Sequence, residues 1–411
     1  MAKPLRFLLV FLALTFAVTL RSVPPDAAKP SPLLLISMDG FRSDYCDLHP
    51  KETPNLRRLK REGASARGLI PVFPSNTFPN HHTIVTGLWP AHHGVINNYM
   101  FDPDSGRVFR NNNAAAVRDS RWWGGEPIWV TAVKQGRHSA CSFWPGSEAE
   151  IAGVRPNHWN TFDPAEPFER RLEELVGWFQ LPPEERPDVV TFYLEETNSV
   201  GHSFGPDAPE TAVAIKLLDT RVDLILQRLD AEGVTPNLVV VSDHGMTSVI
   251  PDRCVAVDDY VDLATVQIDF YGPACGLRPL QTMTVDEILS RLQKLPAGAK
   301  AYRAEDLPER FHLKGNPRIP PIWILPQEGG AVSTKQLLST WLPKTRGEHG
   351  YDPALEEMHA TLIVHGPAFR SDGAVIDPVE NIHLYNLFCA VLHLKPAPND
   401  GDDRLVKSLM K

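Results

Sequence analysis

Cysteine is scarce in this chain of 411 residues, which contains five. A protein built on a disulfide framework carries many more cysteines in a much shorter chain, so that class is excluded. None of the five has zinc-finger spacing. Cys254 and Cys275 lie closest together in sequence and flank a loop-like segment. A bridge between them is permissible in an exported protein, but we favour buried free thiols.

An excess of basic residues is also lacking, because the formal net charge is −9 at pH 7. This balance argues against nucleic-acid binding through a broad basic face. It does not argue against a small anionic substrate, which bound cations can attract locally. The sequence contains no internal repeat and no low-complexity segment.

The chain has no apolar run of the roughly 20 residues that a membrane-spanning helix needs. The N-terminal run from Phe7 to Val18 is shorter, and Lys3 and Arg6 precede it. This pattern predicts a secretory signal peptide over residues 1–28, with cleavage somewhere near residues 20–28. An uncleaved anchor is the alternative. We therefore expect an exported protein, periplasmic or extracellular, with no stable membrane span once the leader is removed.

Buried strands alternate with amphipathic helices along the rest of the chain. The helical stretch Ala212–Leu229 places its apolar residues on one face, as a helix covering a sheet does. This alternation predicts a three-layer α/β domain over residues 31–396, followed by a tail at 397–411. The alternation of strands and helices is interrupted between about residues 250 and 345, where we expect an insertion. The predicted strands are Leu33–Ser37, Ala66–Val72, His138–Phe143, Val189–Leu194, Leu238–Ser242 and Ala360–Val364.

Metal-type ligands follow three of these strands. Asp39 comes after the first, the segment Glu195–His202 after the fourth, and Asp243 and His244 after the fifth. The carboxyl ends of strands are where α/β sheets place their chemistry. A single Asp or His at such a place is usually a cap, but the set together indicates a site.

The segment Phe73–Met100 presents a hydroxyl group at a predicted helix start. Turn and cap formers surround Thr77, and the apolar spacing of a helix follows until Pro90. Free amide donors and the positive end of the helix dipole suit a phosphate-like anion and favour a threonine alkoxide. The alternative is an ordinary N-cap threonine.

Six motifs occur in an order that resembles a known family. They are SMDGFRSDY, FPSNTFPNHHTIVTGLWPAHHGVINN, FWPGSE, GHSFGP, SDHGM and GEHGYDP. On these motifs, the chain resembles the nucleotide pyrophosphatase/phosphodiesterases of the alkaline phosphatase superfamily across roughly residues 31–396. The resemblance implies an alkaline phosphatase-like α/β/α sandwich with a mostly parallel central sheet and an inserted subdomain.

The resemblance also implies two zinc ions per chain. One ion would be held by Asp39, Asp243 and His244, with Thr77 as its alkoxide ligand. The other would be held by His202, by His349 and by the side chain four residues before His202. That side chain is Asn198, where the family commonly has Asp. An amide oxygen can coordinate zinc but brings no charge, so we expect a weaker or differently tuned second site.

Substrate contacts are implied by the same resemblance. Asn98 would donate its amide hydrogens to a phosphate oxygen, with the neighbouring Asn97 as an alternative register. Phe78 would stack on a nucleobase together with a second aromatic residue, which is either Phe162 or Trp159. We therefore expect a small-molecule nucleotide or phosphodiester substrate.

The expected activity is hydrolysis of nucleotide phosphodiester and pyrophosphate bonds to nucleoside monophosphates through a threonyl-phosphate intermediate. One alternative is a related hydrolase of the superfamily that acts on phosphomonoesters, phosphonates or sulfate esters. The other is a degenerate protein that binds metal without catalysis, and the only feature that suggests it is Asn198.

Overall fold

The computed structural model describes residues 30–280 and 283–411. The predicted signal peptide at residues 1–28 lies outside these described residues. Within them, we find no helix that combines the length and the apolar character needed to cross a bilayer.

The strands of the described residues alternate with helices over most of the chain. In chain order the strands are β1 (Leu33–Met38), β2 (Ala64–Ala66), β3 (Leu69–Ile70), β4 (Tyr99–Asp102), β5 (Arg107–Arg110), β6 (Ser139–Ser142), β7 (His158–Trp159), β8 (Val189–Leu194), β9 (Asn237–Val241), β10 (Thr247–Ser248), β11 (Val255–Ala256), β12 (Val266–Phe270), β13 (Cys275–Pro279), β14 (Lys300–Arg303), β15 (Ile322–Leu325), β16 (Val332–Ser333), β17 (Gly347–Glu348), β18 (Leu362–His365), β19 (Ala374–Ile376) and β20 (Val379–Glu380). The α-helices are α1 (Tyr45–Leu48), α2 (Pro54–Glu62), α3 (Thr77–Thr86), α4 (Pro90–His93), α5 (Ala114–Val117), α6 (Ile128–Lys134), α7 (Phe168–Gln180), α8 (Glu196–Phe204), α9 (Pro209–Ala231), α10 (Val285–Leu292), α11 (Lys335–Trp341), α12 (Leu384–Val391) and α13 (Arg404–Leu409).

The central sheet of the described residues has eight strands in the order β19-β2-β18-β9-β1-β8-β6-β7. Strand β1 lies in its middle and pairs in parallel with both β8 and β9. Strand β18 runs antiparallel to both of its neighbours, β2 and β9. The prediction of a mostly parallel central sheet is confirmed.

Successive side chains of β1 enter two different hydrophobic cores. Leu33 and Leu35 pack on the face covered by α3, α6 and α12. Leu34 and Ile36 pack on the face covered by α2, α7 and α9. Because side chains alternate along a strand, a sheet buried on both faces needs apolar residues at every position. The structure is therefore the expected three-layer α/β/α sandwich.

A third hydrophobic core lies within the residues for which an insertion is predicted. It runs from Val255 to Val332 and includes α10 and an antiparallel sheet in the order β12-β13-β15-β14. At its base β10 pairs with β17, so that Thr247 lies opposite Glu348. The chain thus leaves the central domain just after His244 and returns at the same edge.

Two local features differ from the sequence-based predictions, and a third concerns the cysteines. The strand predicted at Ala66–Val72 is split, because β2 pairs with β18 while β3 pairs with β20 in another sheet. The segment predicted as a tail contains α13, whose Leu405 and Leu409 are fully buried in the core that includes α12. All five cysteines of the chain, Cys254 and Cys275 included, carry free thiols.

Candidate active site

Three neighbouring strands deliver the predicted metal ligands to one edge of the sheet. Asp39 follows β1, and Asp243 and His244 follow β9. Helix α8, which carries Asn198 and His202, follows β8. Because the three strands are parallel neighbours, their carboxyl ends meet.

Asp39, Asp243 and His244 form the first cluster, and all three are fully buried. The Nε2 atom of His244 lies 3.4 Å from Asp39 Oδ1 and 3.0 Å from Asp243 Oδ2. Among the described residues, neither of these two carboxylate oxygens receives a hydrogen bond. The other oxygens do, since Tyr193 donates to Asp39 Oδ2 at 2.5 Å and the Gly40 amide donates to Asp243 Oδ1 at 3.2 Å. One oxygen of each carboxylate is thus left for a cation.

The electrostatics of the first cluster agree with this geometry. Burial and the negative charge of Asp243 raise the pKa of Asp39 to about 7. Burial lowers the pKa of His244, but the contact with Asp243, the charge of Asp39 and the Gly245 carbonyl together outweigh burial and raise this pKa to about 9. Both shifts reflect negative charge concentrated in a small buried volume. A divalent metal ion would neutralise that charge, so the donor set fits a metal.

Thr77 begins α3 and lies beside the first cluster. The preceding Asn76 is extended, with φ −112° and ψ 155°, and provides no side-chain cap. The Thr77 Oγ1 atom lies 3.3 Å from His244 Nε2. Thr77 is thus the first helical residue and not the N-cap, and its hydroxyl lies beside the candidate metal ligands.

His202, Glu348 and His349 form a second cluster, with one donor atom of each lying within 4.8 Å of the others. The rings of His349 and His244 stack at a centroid distance of 3.6 Å, which joins the two clusters. In each of the three histidines Nδ1 lies against a backbone carbonyl: Gly347 O for His202, Ser75 O for His349 and Gly245 O for His244, at 2.9, 2.9 and 2.8 Å. In the neutral ring, donation from Nδ1–H leaves Nε2 unprotonated, as in metal-binding histidines.

The return of the chain from the insertion brings His349 to the site. Gly347 packs directly on α8, since a Cβ at this position would lie 2.4 Å from the Gly201 carbonyl oxygen. A larger residue would push β17 away from the helix. Gly347 therefore sets the distance from His202 to Glu348 and His349.

Asn198 lies one helical turn before His202 on α8 and lines a cavity together with Asp39 and Thr77. Its Oδ1 atom is buried and, within the described part of the chain, receives no hydrogen bond. A buried amide oxygen without a donor is rare in folded proteins. This orphaned acceptor is consistent with a cation contact.

Asn98 and Asn97 make different contacts. The Oδ1 atom of Asn98 accepts a hydrogen bond from the Phe78 amide at 2.9 Å, within the first turn of α3. The Oδ1 atom of Asn97 instead accepts one from Asn76 Nδ2 at 3.1 Å. Both line a cavity of about 400 Å³ that also contains the second cluster. The Phe78 contact places Asn98 next to Thr77.

The two candidate aromatic partners of Phe78, which are Phe162 and Trp159, lie in different places. Phe78 and Phe162 both line the cavity of about 490 Å³ that contains Thr77, and Phe162 is 40 % exposed. Trp159 lies in β7, where the Arg155 guanidinium covers its ring at 5.0 Å, and it does not line that cavity. The structure therefore brings Phe162, and not Trp159, to the candidate site.

Several residues at the site were not identified from the sequence. The Tyr193 hydroxyl donates a hydrogen bond to Asp39 Oδ2, and His81 Nδ1 lies 3.3 Å from Asp243 Oδ2. Glu348 lies beside both histidines of the second cluster. Two of these residues had a sequence signal, because His81 lies in the motif that contains Thr77 and Glu348 directly precedes His349 in the GEHGYDP motif.

Comparisons with known proteins agree with this architecture. Residues 33–352 match the family model described as type I phosphodiesterase / nucleotide pyrophosphatase. A venom phosphodiesterase of Macrovipera lebetinus is 38% identical over 94% of this chain and 46% of its own length. Ectonucleotide pyrophosphatase/phosphodiesterase family member 3 of Rattus norvegicus is 35% identical over 94% of this chain and 45% of its own length. The chain thus spans about half the length of these curated relatives.

Solved structures provide a match over a full chain. Murine ectonucleotide pyrophosphatase/phosphodiesterase 5 superposes with a TM-score of 0.87 at 31% identity, covering 92% of this chain and 100% of that one. An inactive threonine-to-alanine variant of the same murine protein, in complex with AMP, superposes with the same TM-score of 0.87. On the family model and this full-length structural match, the chain belongs to the type I phosphodiesterase / nucleotide pyrophosphatase family.

Proposed function

We propose that this chain hydrolyses nucleotide phosphodiester and pyrophosphate bonds and releases a nucleoside monophosphate. The observation that carries the proposal is the position of Thr77, whose hydroxyl lies at a helix N-terminus and 3.3 Å from His244 Nε2. The amide donors of that helix end suit a phosphate group. The adjoining cavity, with Phe78 and Phe162 in its lining, has room for a nucleoside.

The proposed cofactors are two zinc ions. Asp39, Asp243, His244 and Thr77 would hold one, and His202, His349 and Asn198 would hold the other. Imidazole nitrogen and carboxylate oxygen are ligands that zinc accepts. When bound, the ions would favour the alkoxide form of Thr77 and neutralise charge on the phosphoryl oxygens.

The chemistry proceeds in two steps. Thr77 Oγ1 loses its proton to water and attacks phosphorus. As the new O–P bond forms, the bond to the leaving oxygen breaks and its electrons depart with the alcohol or phosphate, which is protonated by solvent where it leaves as an alkoxide. A water molecule then loses a proton and attacks phosphorus. As its O–P bond forms, the bond between Thr77 Oγ1 and phosphorus breaks, Thr77 Oγ1 takes up a proton, and the nucleoside monophosphate is released. The murine relative is described as inactive when a threonine is replaced by alanine, and that variant was solved in complex with AMP. Both facts support a threonine nucleophile and a nucleoside monophosphate product.

The proposed place of action is outside the cytoplasm. The relatives include venom phosphodiesterases and an ectonucleotide pyrophosphatase/phosphodiesterase. An extracellular or periplasmic location agrees with the predicted leader.

A substrate panel tests this function. The purified protein should turn over the nitrophenyl ester of thymidine monophosphate and should turn over nitrophenyl phosphate poorly, since the second lacks both the base and the diester. Absorbance of released nitrophenol measures both. Faster turnover of the monoester, a phosphonate or a sulfate ester would point to a related hydrolase, and metal binding without any turnover would contradict catalysis.

Phe162 and Trp159 offer a matched pair for the base-binding role. Phe162→Ala should raise KM for the thymidine ester about tenfold, because stacking on one base contributes about 1–3 kcal/mol. The KM for methyl nitrophenyl phosphate, which has no base, should not change. Trp159→Phe should leave both KM values near wild type, and a larger effect at Trp159 than at Phe162 would contradict the assignment.

A further inference from the structure

We propose that Glu348 is a metal ligand of the second cluster and supplies the negative charge that Asn198 lacks. This inference rests on the proposed function, because it takes the second cluster to be a zinc site. It adds a residue that the motif comparison does not assign. It also changes the donor set from two histidines and an amide to two histidines and a carboxylate.

The geometry of the cluster supports a shared ion. Glu348 Oε1 lies 4.0 Å from His349 Nε2, and one donor atom of each of the three residues lies within 4.8 Å of the others. Its 3.6 Å approach to His202 is to Nδ1, the nitrogen on the side of the Gly347 carbonyl. Both histidines direct Nδ1 to a backbone carbonyl, which leaves Nε2 available to a metal. Two histidines and one glutamate form a recurrent catalytic zinc set, which leaves the fourth position open for water or substrate.

The charge balance of the cluster also calls for a cation. The Glu348 side chain is only 15% exposed. Among the described residues, the basic side chains within ion-pair distance of it are His202 and His349, with no lysine or arginine. The His349 amide donates a hydrogen bond to Glu348 Oε1 at 3.1 Å but does not neutralise the charge of the carboxylate, whereas a metal ion would.

The backbone fixes Glu348 in this position. Pairing of β17 with β10 sets its register opposite Thr247, and Gly347 brings the strand into contact with α8. Glu348 therefore approaches the ion from the strand, in place of a carboxylate at position 198 on the helix. The second site thus takes its carboxylate from β17 and not from α8, and its net charge is the same as with an aspartate at position 198.

The test is zinc retention, measured by elemental analysis during titration with a chelator at fixed pH. Wild type should hold about two zinc ions per chain. Glu348→Gln keeps the side-chain shape and removes the charge, so it should release one ion at a chelator concentration lower by about tenfold or more. The ion of the first cluster should remain, which serves as an internal control for folding.

Two further variants sharpen the result. Glu195→Gln removes a half-buried carboxylate just before α8 that belongs to neither cluster, and it should retain zinc as wild type does. Adding Asn198→Asp to Glu348→Gln moves the charge back to the helix and should restore retention. Rescue would show that the carboxylate charge, and not the local fold, holds the ion.

The outcomes separate the inference from the function on which it rests. Retention of both ions by Glu348→Gln, as in wild type, would overturn the role of Glu348 and leave the zinc enzyme intact. Loss of zinc in Glu195→Gln instead would also overturn it. A wild-type protein that binds no zinc would contradict the proposed function itself.

Discussion

Thr77→Ala should lose turnover of the thymidine ester by a factor on the order of 10³ to 10⁶, the range seen when a catalytic nucleophile is removed. The reason is that Thr77 is the first residue of α3 and carries the attacking oxygen, whereas the nearby Ser75 hydroxyl is hydrogen-bonded to the Tyr351 carbonyl. The two carboxylates and the imidazole of the first cluster remain, so zinc content should change little. Steady-state kinetics and elemental analysis on the same preparation measure both quantities.

Two variants control for indirect effects. Thr77→Ser keeps the hydroxyl and should retain part of the activity. Thr86→Ala removes a buried hydroxyl from the last turn of the same helix, where it donates to the His82 carbonyl at 2.6 Å, and should leave the reaction largely intact. Wild-type turnover by Thr77→Ala would disprove the nucleophile assignment.

Asn98→Asp should lower kcat by a factor of about 10² to 10³, as expected when one donor to a transition-state oxyanion is removed. An aspartate still accepts the hydrogen bond from the Phe78 amide, so the start of α3 keeps its contact. It lacks the two amide hydrogens, and its charge repels the phosphate. The loss should therefore appear in catalysis, with thermal unfolding close to that of wild type.

Asn97 serves as the comparison position. Its side chain is buried and accepts from Asn76, so Asn97→Ala should affect the unfolding temperature more than kcat. A large loss of kcat in Asn97→Ala, with normal catalysis in Asn98→Asp, would move the phosphate donor to Asn97.

Local sequence patterns were sufficient for the central strands. The predicted bounds of β1, β8 and β9 agree with the structure to within one residue at each end. These strands are buried on both faces, so their continuous apolar runs are distinct from the patterns of the surrounding helices. The ligand types that follow the strands were also readable, because they are short motifs in a fixed order.

Predictions that depend on a distant contact were less accurate. The run Ala66–Val72 looks like one strand, but its two ends pair in different sheets. Leu405 and Leu409 looked like part of a tail, although their i, i+4 spacing forms one apolar face that packs on the main core. In both cases the deciding contact lies far away in sequence.

The family, the layered α/β fold and the residue types that can hold metal and phosphate all follow from the order of residues along the chain. Tertiary structure alone decided that Phe162 and not Trp159 lines the cavity, and that Glu348 lies beside His202. Strand and helix periodicities report which residues share a face within one element. They do not report which elements meet, because that depends on the order of strands in the sheet and on where the insertion returns the chain to it.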